Sequence, residues 1–146
     1  MDRPKLTKEL ITATAAAFCE RNGWDAEQAA DLAGVCRSEH MDGYELAKAL
    51  EQRCYWSPTA MDVETLDTFS ADLREALREA RISWAHDNNV QPPFPVGTMT
   101  TRGEITGIYD HDGACYEIRK PGDANPTRRY IVPFEDARAV VAVGAV

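Results

Sequence analysis

The chain has 146 residues, of which 44% are apolar and 27% charged, and its formal net charge is −8. This composition is typical of a soluble globular protein and excludes a disordered one, because disordered segments are poor in apolar residues. The length suits one domain or two small ones. No apolar run approaches the ~20 residues of a membrane span, and no apolar signal-peptide core follows the charged N-terminus, so we expect a cytoplasmic protein.

The negative charge is unevenly distributed along the chain. Residues 25–75 contain twelve acidic and four basic residues, a balance of −8, whereas residues 1–24 carry +1 and residues 92–146 carry −1. A surface of this sign repels phosphate groups, so direct nucleic-acid binding by it is not expected. It suits a partner with a basic surface instead. The alternative is that the acidity only maintains solubility.

Helical periodicity dominates the first part of the chain. Short amphipathic helices are predicted at residues 6–18, 26–36 and 44–54, with breaks at Asn22-Gly23 and Asp42-Gly43. A long fourth helix is predicted at residues 62–87, about 36 Å in length at 1.5 Å per residue. Its apolar residues recur every three or four positions and are Leu66, Phe69, Leu73, Leu77, Ala80 and Trp84. We expect this helix to be the spine of the helical region.

The pattern changes to β-structure after the connector Pro92-Pro93-Phe94-Pro95, where Phe94 is expected to pack back onto the protein. Gly107 indicates a bulge, and residues 133–136 a turn or short 3₁₀ segment. Five short strands are predicted: Val96-Gly97-Thr98 opens the first, and the others lie at residues 105–109, 114–119, 128–132 and 138–143. The predicted fold is therefore α+β, with an acidic four-helix domain at residues 1–91 and a small antiparallel β-domain at residues 92–146.

Few residues suggest catalysis or metal binding. The cysteines form no C-x-x-C pair, so Cys19, Cys36 and Cys54 are expected to be small buried residues rather than zinc ligands. Asp110-His111-Asp112 is the most polar cluster, but adjacent side chains on a tight turn point apart, which favours an exposed hairpin tip over a general base. Cys115 and His111 could be considered as a nucleophile and its base, but no third residue that would orient the histidine can be identified. We predict no catalytic residue, metal or cofactor.

Residues 38–43 join two predicted helices, which suggests a helix-turn-helix with residues 44–54 in the DNA major groove. That helix offers Glu45 and Glu51 as well as two basic residues, whereas recognition helices usually have an excess of basic and amide side chains. Plain helix packing is therefore the favoured interpretation.

Three tyrosines fall on neighbouring predicted strands: Tyr109, Tyr116 and Tyr130. They would form either the core of the β-domain or a ligand-binding floor, and both interpretations stay open. Arg128 and Arg129 precede Tyr130, a pairing expected at a protein-binding hot spot or a nucleic-acid stacking site.

The β-region resembles an SH3-like barrel of five strands. The segments that show this resemblance are Pro95-Val96-Gly97-Thr98, Arg102-Gly103-Glu104-Ile105-Thr106-Gly107-Ile108 and Val132-Pro133-Phe134-Glu135-Asp136-Ala137. With the helix start Asp42-Gly43-Tyr44-Glu45-Leu46-Ala47-Lys48-Ala49-Leu50-Glu51, the whole chain resembles small accessory proteins encoded by phages and prophages. This resemblance implies a non-catalytic protein that binds and blocks or redirects host machinery, anti-CRISPR proteins among them.

The expected partner is a host protein or complex with a basic surface. The alternative is a nucleic-acid-associated regulator that uses the barrel face around Arg128 and Arg129. The residues expected to bind a partner are Asp42, Glu45, Glu51, Tyr109, Arg128, Arg129 and Tyr130.

Overall fold

The computed structural model describes residues 2–140. Its helices precede its strands, which confirms the predicted α+β class. The helices are α1 (Lys8–Arg21), α2 (Ala26–Val35), α3 (Gly43–Cys54), α4 (Ala60–Leu66) and α5 (Phe69–Asp87). The strands are β1 (Met99–Thr100), β2 (Gly103–Tyr109), β3 (Cys115–Arg119) and β4 (Tyr130–Pro133), and a 3₁₀ turn follows at Phe134–Asp136.

The chain divides into two compact units, Met1–Arg78 and Glu79–Val146, which we call the helical unit and the sheet unit. The division falls within α5, so the last turns of that helix group with the strands. The proline-rich connector at residues 92–95 also lies in the sheet unit.

Side-chain caps fix the starts of four helices. In each, a side-chain oxygen accepts a hydrogen bond from the backbone N–H three residues later, which satisfies a group without a helical partner. The capping residues are Thr7, Asp25, Asp42 and Thr59. Gln28 and Asp62 complete reciprocal capping boxes at the starts of α2 and α4. Part of the acidity of residues 25–75 thus stabilises helix ends.

The prediction of one helix at residues 62–87 was wrong, because the chain breaks between α4 and α5. At the break, the Asp67 carboxylate accepts a hydrogen bond of 2.9 Å from the N–H of Gly43, at the start of α3. A Cβ atom on Gly43 would overlap the carbonyl oxygen of Val63, so α3 begins directly against the backbone of α4. This tertiary contact lies at the break between α4 and α5, which the spacing of the apolar residues did not indicate.

The apolar stripe of the predicted helix nevertheless faces the core. Leu66, Phe69 and Leu73 are fully buried, and Leu77 is 4% exposed. The Phe18 ring meets the Phe69 ring edge to face, with centroids 5.1 Å apart. Core residues of the helical unit from the other helices include Ile11, Ala15, Cys19, Leu32, Val35, Cys36, Leu46 and Leu50.

The four strands of the described chain form one antiparallel sheet in the order β1-β2-β3-β4. The register shifts between Ile105 and Gly107, which confirms the predicted bulge. The strand that Val96-Gly97-Thr98 was predicted to open is regular only from Met99, because Gly97 has a positive φ of 96° and Thr98 donates to the Pro95 carbonyl in a turn. Gly97 and Thr98 nevertheless already bond to Ile105 of β2: the Gly97 N–H donates to the Ile105 carbonyl at 2.8 Å, and the Ile105 N–H donates to the Thr98 carbonyl at 2.9 Å. The regular register with β2 follows from Met99.

Three residues of the predicted fifth strand approach β1. Ala139 forms an isolated antiparallel bridge with Thr100. The N–H of Val140 donates to the carbonyl of Met99 at 3.0 Å, and the N–H of Thr101 donates to the carbonyl of Arg138 at 2.9 Å. Residues 141–143 of that prediction lie outside the described part of the chain.

The sheet unit has its own apolar core, formed by Ile105, Tyr116, Ile118, Val132, Phe134 and Ala137. Phe94 of the connector packs against this core, as predicted. The β2–β3 turn lies directly against the end of α5. A Cβ atom on Gly113, in that turn, would overlap the carbonyl oxygen of Arg81, so the two backbones are in contact.

Candidate partner-binding surfaces

The helical unit is acidic, but many of its carboxylates have partners within the fold. Residues 2–78 contain fifteen acidic and nine basic residues, a balance of −6. Asp31 accepts the indole N–H of Trp56 at 2.9 Å, and Asp72 pairs with Arg21 at 2.6 Å. Within the described chain, the carboxylates of residues 25–75 that make no hydrogen bond or ion pair include Glu27, Glu45, Glu51 and Glu64. These exposed side chains present the available negative charge.

The predicted acidic site residues on α3 have different surroundings. Asp42 caps the helix through a 2.8 Å hydrogen bond from the N–H of Glu45. Glu45 and Glu51 are exposed to solvent, whereas Leu46 and Leu50 of the same helix are buried. Asp42 is thus occupied with the backbone, whereas Glu45 and Glu51 are available to a partner.

Glu45 lies in a surface groove of about 470 Å³ that runs along α3. The groove is also lined by Arg37, Lys48 and Arg53, so cations outnumber the carboxylate there. Lys48 Nζ lies 5.8 Å from the centroid of the Tyr44 ring. The exposed side of α3, the helix considered above for DNA recognition, is therefore of mixed charge, and Glu51 lies outside the groove.

The charges of the sheet unit are segregated to opposite ends of the strands. One end, which we call the basic end, comprises the β1–β2 turn, the end of β3 and the start of β4. Its cations are Arg102, Arg119, Lys120, Arg128 and Arg129. Glu104, opposite Arg119 in the β2–β3 register, and Asp123 reduce the balance there to +3. The acidic residues of the other end are Asp110, Asp112, Glu135 and Asp136.

Of the two arginines selected from the sequence, only Arg128 is available for binding. Its side chain is 55% exposed, with Nη1 3.9 Å from Asp123 Oδ1. Tyr130, followed by the charge of Asp123, raises the pKa of its guanidinium. Arg129 is occupied: its Nε donates to Thr106 Oγ1 at 3.1 Å, and its Nη1 donates to the Pro126 carbonyl at 2.8 Å. Arg129 therefore anchors the loop before β4.

The three tyrosines do not share one surface. Tyr116 is fully buried in the core. Tyr130 is 40% exposed at the basic end. Tyr109 lies at the opposite end of β2, with its ring centroid 5.9 Å from that of His111. The predicted grouping of Tyr109 with Arg128, Arg129 and Tyr130 thus spans both ends of the sheet.

The basic end contains a groove of about 600 Å³ that the sequence did not reveal. We call it the basic groove; Arg102, Lys120, Tyr130 and Ile131 are among the residues that line it. Arg102 lies in the β1–β2 turn and Lys120 just after β3, far apart in sequence. The predicted strand order could have indicated this groove. Antiparallel hairpins bring the start of β2, the end of β3 and the start of β4 to the same end of a sheet, so the cations at these positions are expected to lie together.

The polar and thiol groups considered for catalysis differ in their exposure to solvent. Asp110 and His111 are exposed on the β2–β3 turn, and Cys115 is buried with its thiol 3.5 Å from the Gly113 carbonyl. Burial raises the pKa of the Cys19 and Cys36 thiols, so both are less reactive than an exposed cysteine. Within residues 2–140, no three His, Cys, Asp or Glu side chains are placed to hold a metal ion.

None of the helices in the described chain is both long and apolar enough to cross a lipid bilayer. Comparison with models of protein families, with curated proteins and with solved structures finds no match to this chain.

Proposed function

We propose that this protein is a non-catalytic binding protein of the inhibitor type, which attaches through its acidic helical unit to a basic surface of a protein or protein complex. The observation that supports this most directly is the balance of −6 in that unit, with Glu45 and Glu51 exposed and without intramolecular partners. Complementary charges steer association and disfavour wrong partners.

The partner that fits best is a host complex whose basic surface normally faces nucleic acid. Anti-CRISPR proteins of phages and prophages are the class of inhibitor that this proposal names. In that arrangement, the acidic helices would occupy cations that otherwise bind phosphate groups.

The test is a pull-down from host lysate with the full chain as bait, washed at about 50 to 500 mM salt, a range over which exposed charges become strongly screened. Reversal of both Glu45→Lys and Glu51→Lys should reduce capture and slow association more than it speeds dissociation. The matched control, Asp110→Lys with Asp136→Lys, makes the same charge change in the sheet unit. Equal, salt-insensitive capture by all three proteins would contradict the proposal.

For the sheet unit, an SH3-like barrel is part of the proposal. Residues 138–140 hydrogen-bond to β1 and follow a 3₁₀ turn after β4, which is the connection expected of such a barrel. The resemblance of the barrel segments in the sequence points the same way.

A second candidate function is that of a nucleic-acid-associated regulator that uses the sheet unit. The observation that favours it is the balance of +3 at the basic end, together with the exposed ring of Tyr130 beside Arg128. Arg129 contributes less than the sequence suggested, because its guanidinium is bonded within the loop.

A further inference from the structure

The basic groove combines two free cations with an exposed aromatic ring. Arg102 enters it from the β1–β2 turn, Lys120 from the end of β3, and Tyr130 from the start of β4. Neither the Arg102 nor the Lys120 side chain makes a hydrogen bond or ion pair with another described residue. Both are therefore available to an anionic ligand.

We infer that the basic groove binds single-stranded nucleic acid, with Arg102 and Lys120 on successive phosphates and a base against the ring of Tyr130. Single strands are commonly bound by such a combination of cations that follow the backbone and aromatic rings on which bases stack. The inference rests on the second candidate function and assigns its ligand to residues that the sequence did not indicate.

The surroundings of Tyr130 fit an aromatic base. Tyr130 is 40% exposed and lines the groove, so part of its aromatic side chain is open to a base there. The Arg128 side chain, two residues before Tyr130 and 55% exposed, adds a further positive charge at this end of the sheet. A base stacked on the ring would remove this apolar surface from water, and its phosphates would meet the cations.

The carboxylates near the groove do not cancel its charge. The Oδ1 of Asp123 lies 3.9 Å from Arg128 Nη1, so this carboxylate offsets Arg128, and neither residue is among those that line the groove. Glu104 lies opposite Arg119 in the register of β2 and β3. An acidic peptide would meet the same cations, but it lacks an aromatic base for the ring of Tyr130; the observations therefore favour nucleic acid.

The experiment measures fluorescence anisotropy of a labelled twelve-nucleotide oligothymidine with the full chain, and of a labelled oligoglutamate of equal length. Reversal of Arg102→Glu with Lys120→Glu should weaken oligothymidine binding at least tenfold. It should also reduce the slope of log affinity against log salt by about 1.4, since each phosphate contact of a single strand contributes about 0.7. Tyr130→Ala should weaken binding about five- to hundredfold, whereas Tyr130→Phe keeps the ring and should bind nearly as wild type.

The matched control is the reversal of Lys5→Glu with Arg74→Glu, an identical charge change in the helical unit. An equal loss for both pairs would show a general charge effect and overturn the inference. The inference would also be overturned if oligothymidine still binds after Arg102→Glu with Lys120→Glu but no longer binds after Arg128→Ala. The second candidate function would stand in that case, because the ligand would bind the sheet unit outside the groove. Binding of oligoglutamate but not of oligothymidine would overturn the inference and assign the groove to an acidic peptide. If neither probe binds, both the nucleic-acid and the acidic-peptide interpretations of the groove are rejected. Circular dichroism of each variant checks that it is folded.

Discussion

The hydroxyl of Tyr116 donates to the carbonyl oxygen of Phe94 at 2.9 Å and accepts the N–H of the same residue at 2.8 Å. One side chain of β3 thus satisfies both backbone groups of a residue in the proline-rich connector. Pro92, Pro93 and Pro95 have no N–H to donate, so Phe94 is the position at which this connector can be tied down in both directions.

Tyr116→Phe should therefore destabilise the sheet unit by about 1–2 kcal/mol, since the half-buried N–H and carbonyl of Phe94 lose their partner. Chemical denaturation followed by fluorescence measures the change. Tyr109→Phe is the control, because the Tyr109 hydroxyl makes no hydrogen bond with the described residues. If both variants are equally stable, the paired hydrogen bonds add nothing to the fold.

Two glycines on neighbouring helices should respond oppositely to the same substitution. Gly43→Ala places a Cβ atom onto the backbone of α4 and should cost about 1–3 kcal/mol. Gly34→Ala, in α2, meets no atom within 4 Å and should stabilise the protein by about 0.4–1 kcal/mol. Thermal unfolding of the two variants tests the close approach of α3 to α4, and a stable Gly43→Ala protein would contradict it.

The core role of the α5 stripe predicts a large cost for one truncation. Leu73 is fully buried, so Leu73→Ala should reduce the free energy of unfolding by about 2–5 kcal/mol. Met61, which is 74% exposed on α4, provides the comparison: Met61→Ala should change stability by less than about 0.5 kcal/mol. Similar urea midpoints for Leu73→Ala and wild type would show that the stripe does not support the core.

The buried thiols predict a loss of stability in alkaline solution. Burial, with a smaller contribution from Asp25, raises the pKa of Cys19 above its ordinary value of 9.0; burial also raises that of Cys36, although a backbone hydrogen bond at Ser38 acts in the opposite direction. Because the folded state holds these protons more tightly, their stabilisation is complete below pH 9 and is lost as the pH rises through the raised values.

Urea denaturation between about pH 7 and pH 10.5 measures this loss. The variant with Cys19→Ala and Cys36→Ala separates the thiols from tyrosine and lysine, which titrate in the same range. Its stability should fall less steeply with pH than that of the wild type. Parallel pH curves would mean that the thiols do not contribute.

The interpretation of the β2–β3 turn as an exposed hairpin tip has its own test. His111 is exposed, with its ring against Tyr109, so His111→Ala should leave the fold and partner binding unchanged. Thermal unfolding and the pull-down measure the two properties. Lost capture by a protein of normal stability would make this turn part of the binding site.

Local features of the amino-acid sequence determined the types of element and several of their ends. Asp25 with Gln28 specifies the start of α2 because the two side chains cap a helix using neighbours only three residues apart. Gly107 specifies a bulge and Asp112-Gly113 a turn for similarly local reasons. The burial of Leu66, Phe69, Leu73 and Leu77 followed from periodicity, which depends only on helix geometry.

Tertiary structure alone decided the features that depend on residues far apart in sequence. The break before α5 occurs where Asp67 bonds Gly43, and the groove forms where the β1–β2 turn meets the end of β3. Arg128 and Arg129 cannot be distinguished from the sequence alone, but only Arg129 donates a hydrogen bond to the hydroxyl of Thr106. Periodicity and composition contain no distances between such residues, so the long-range contacts determined both the shape of the core and the set of charges available for binding.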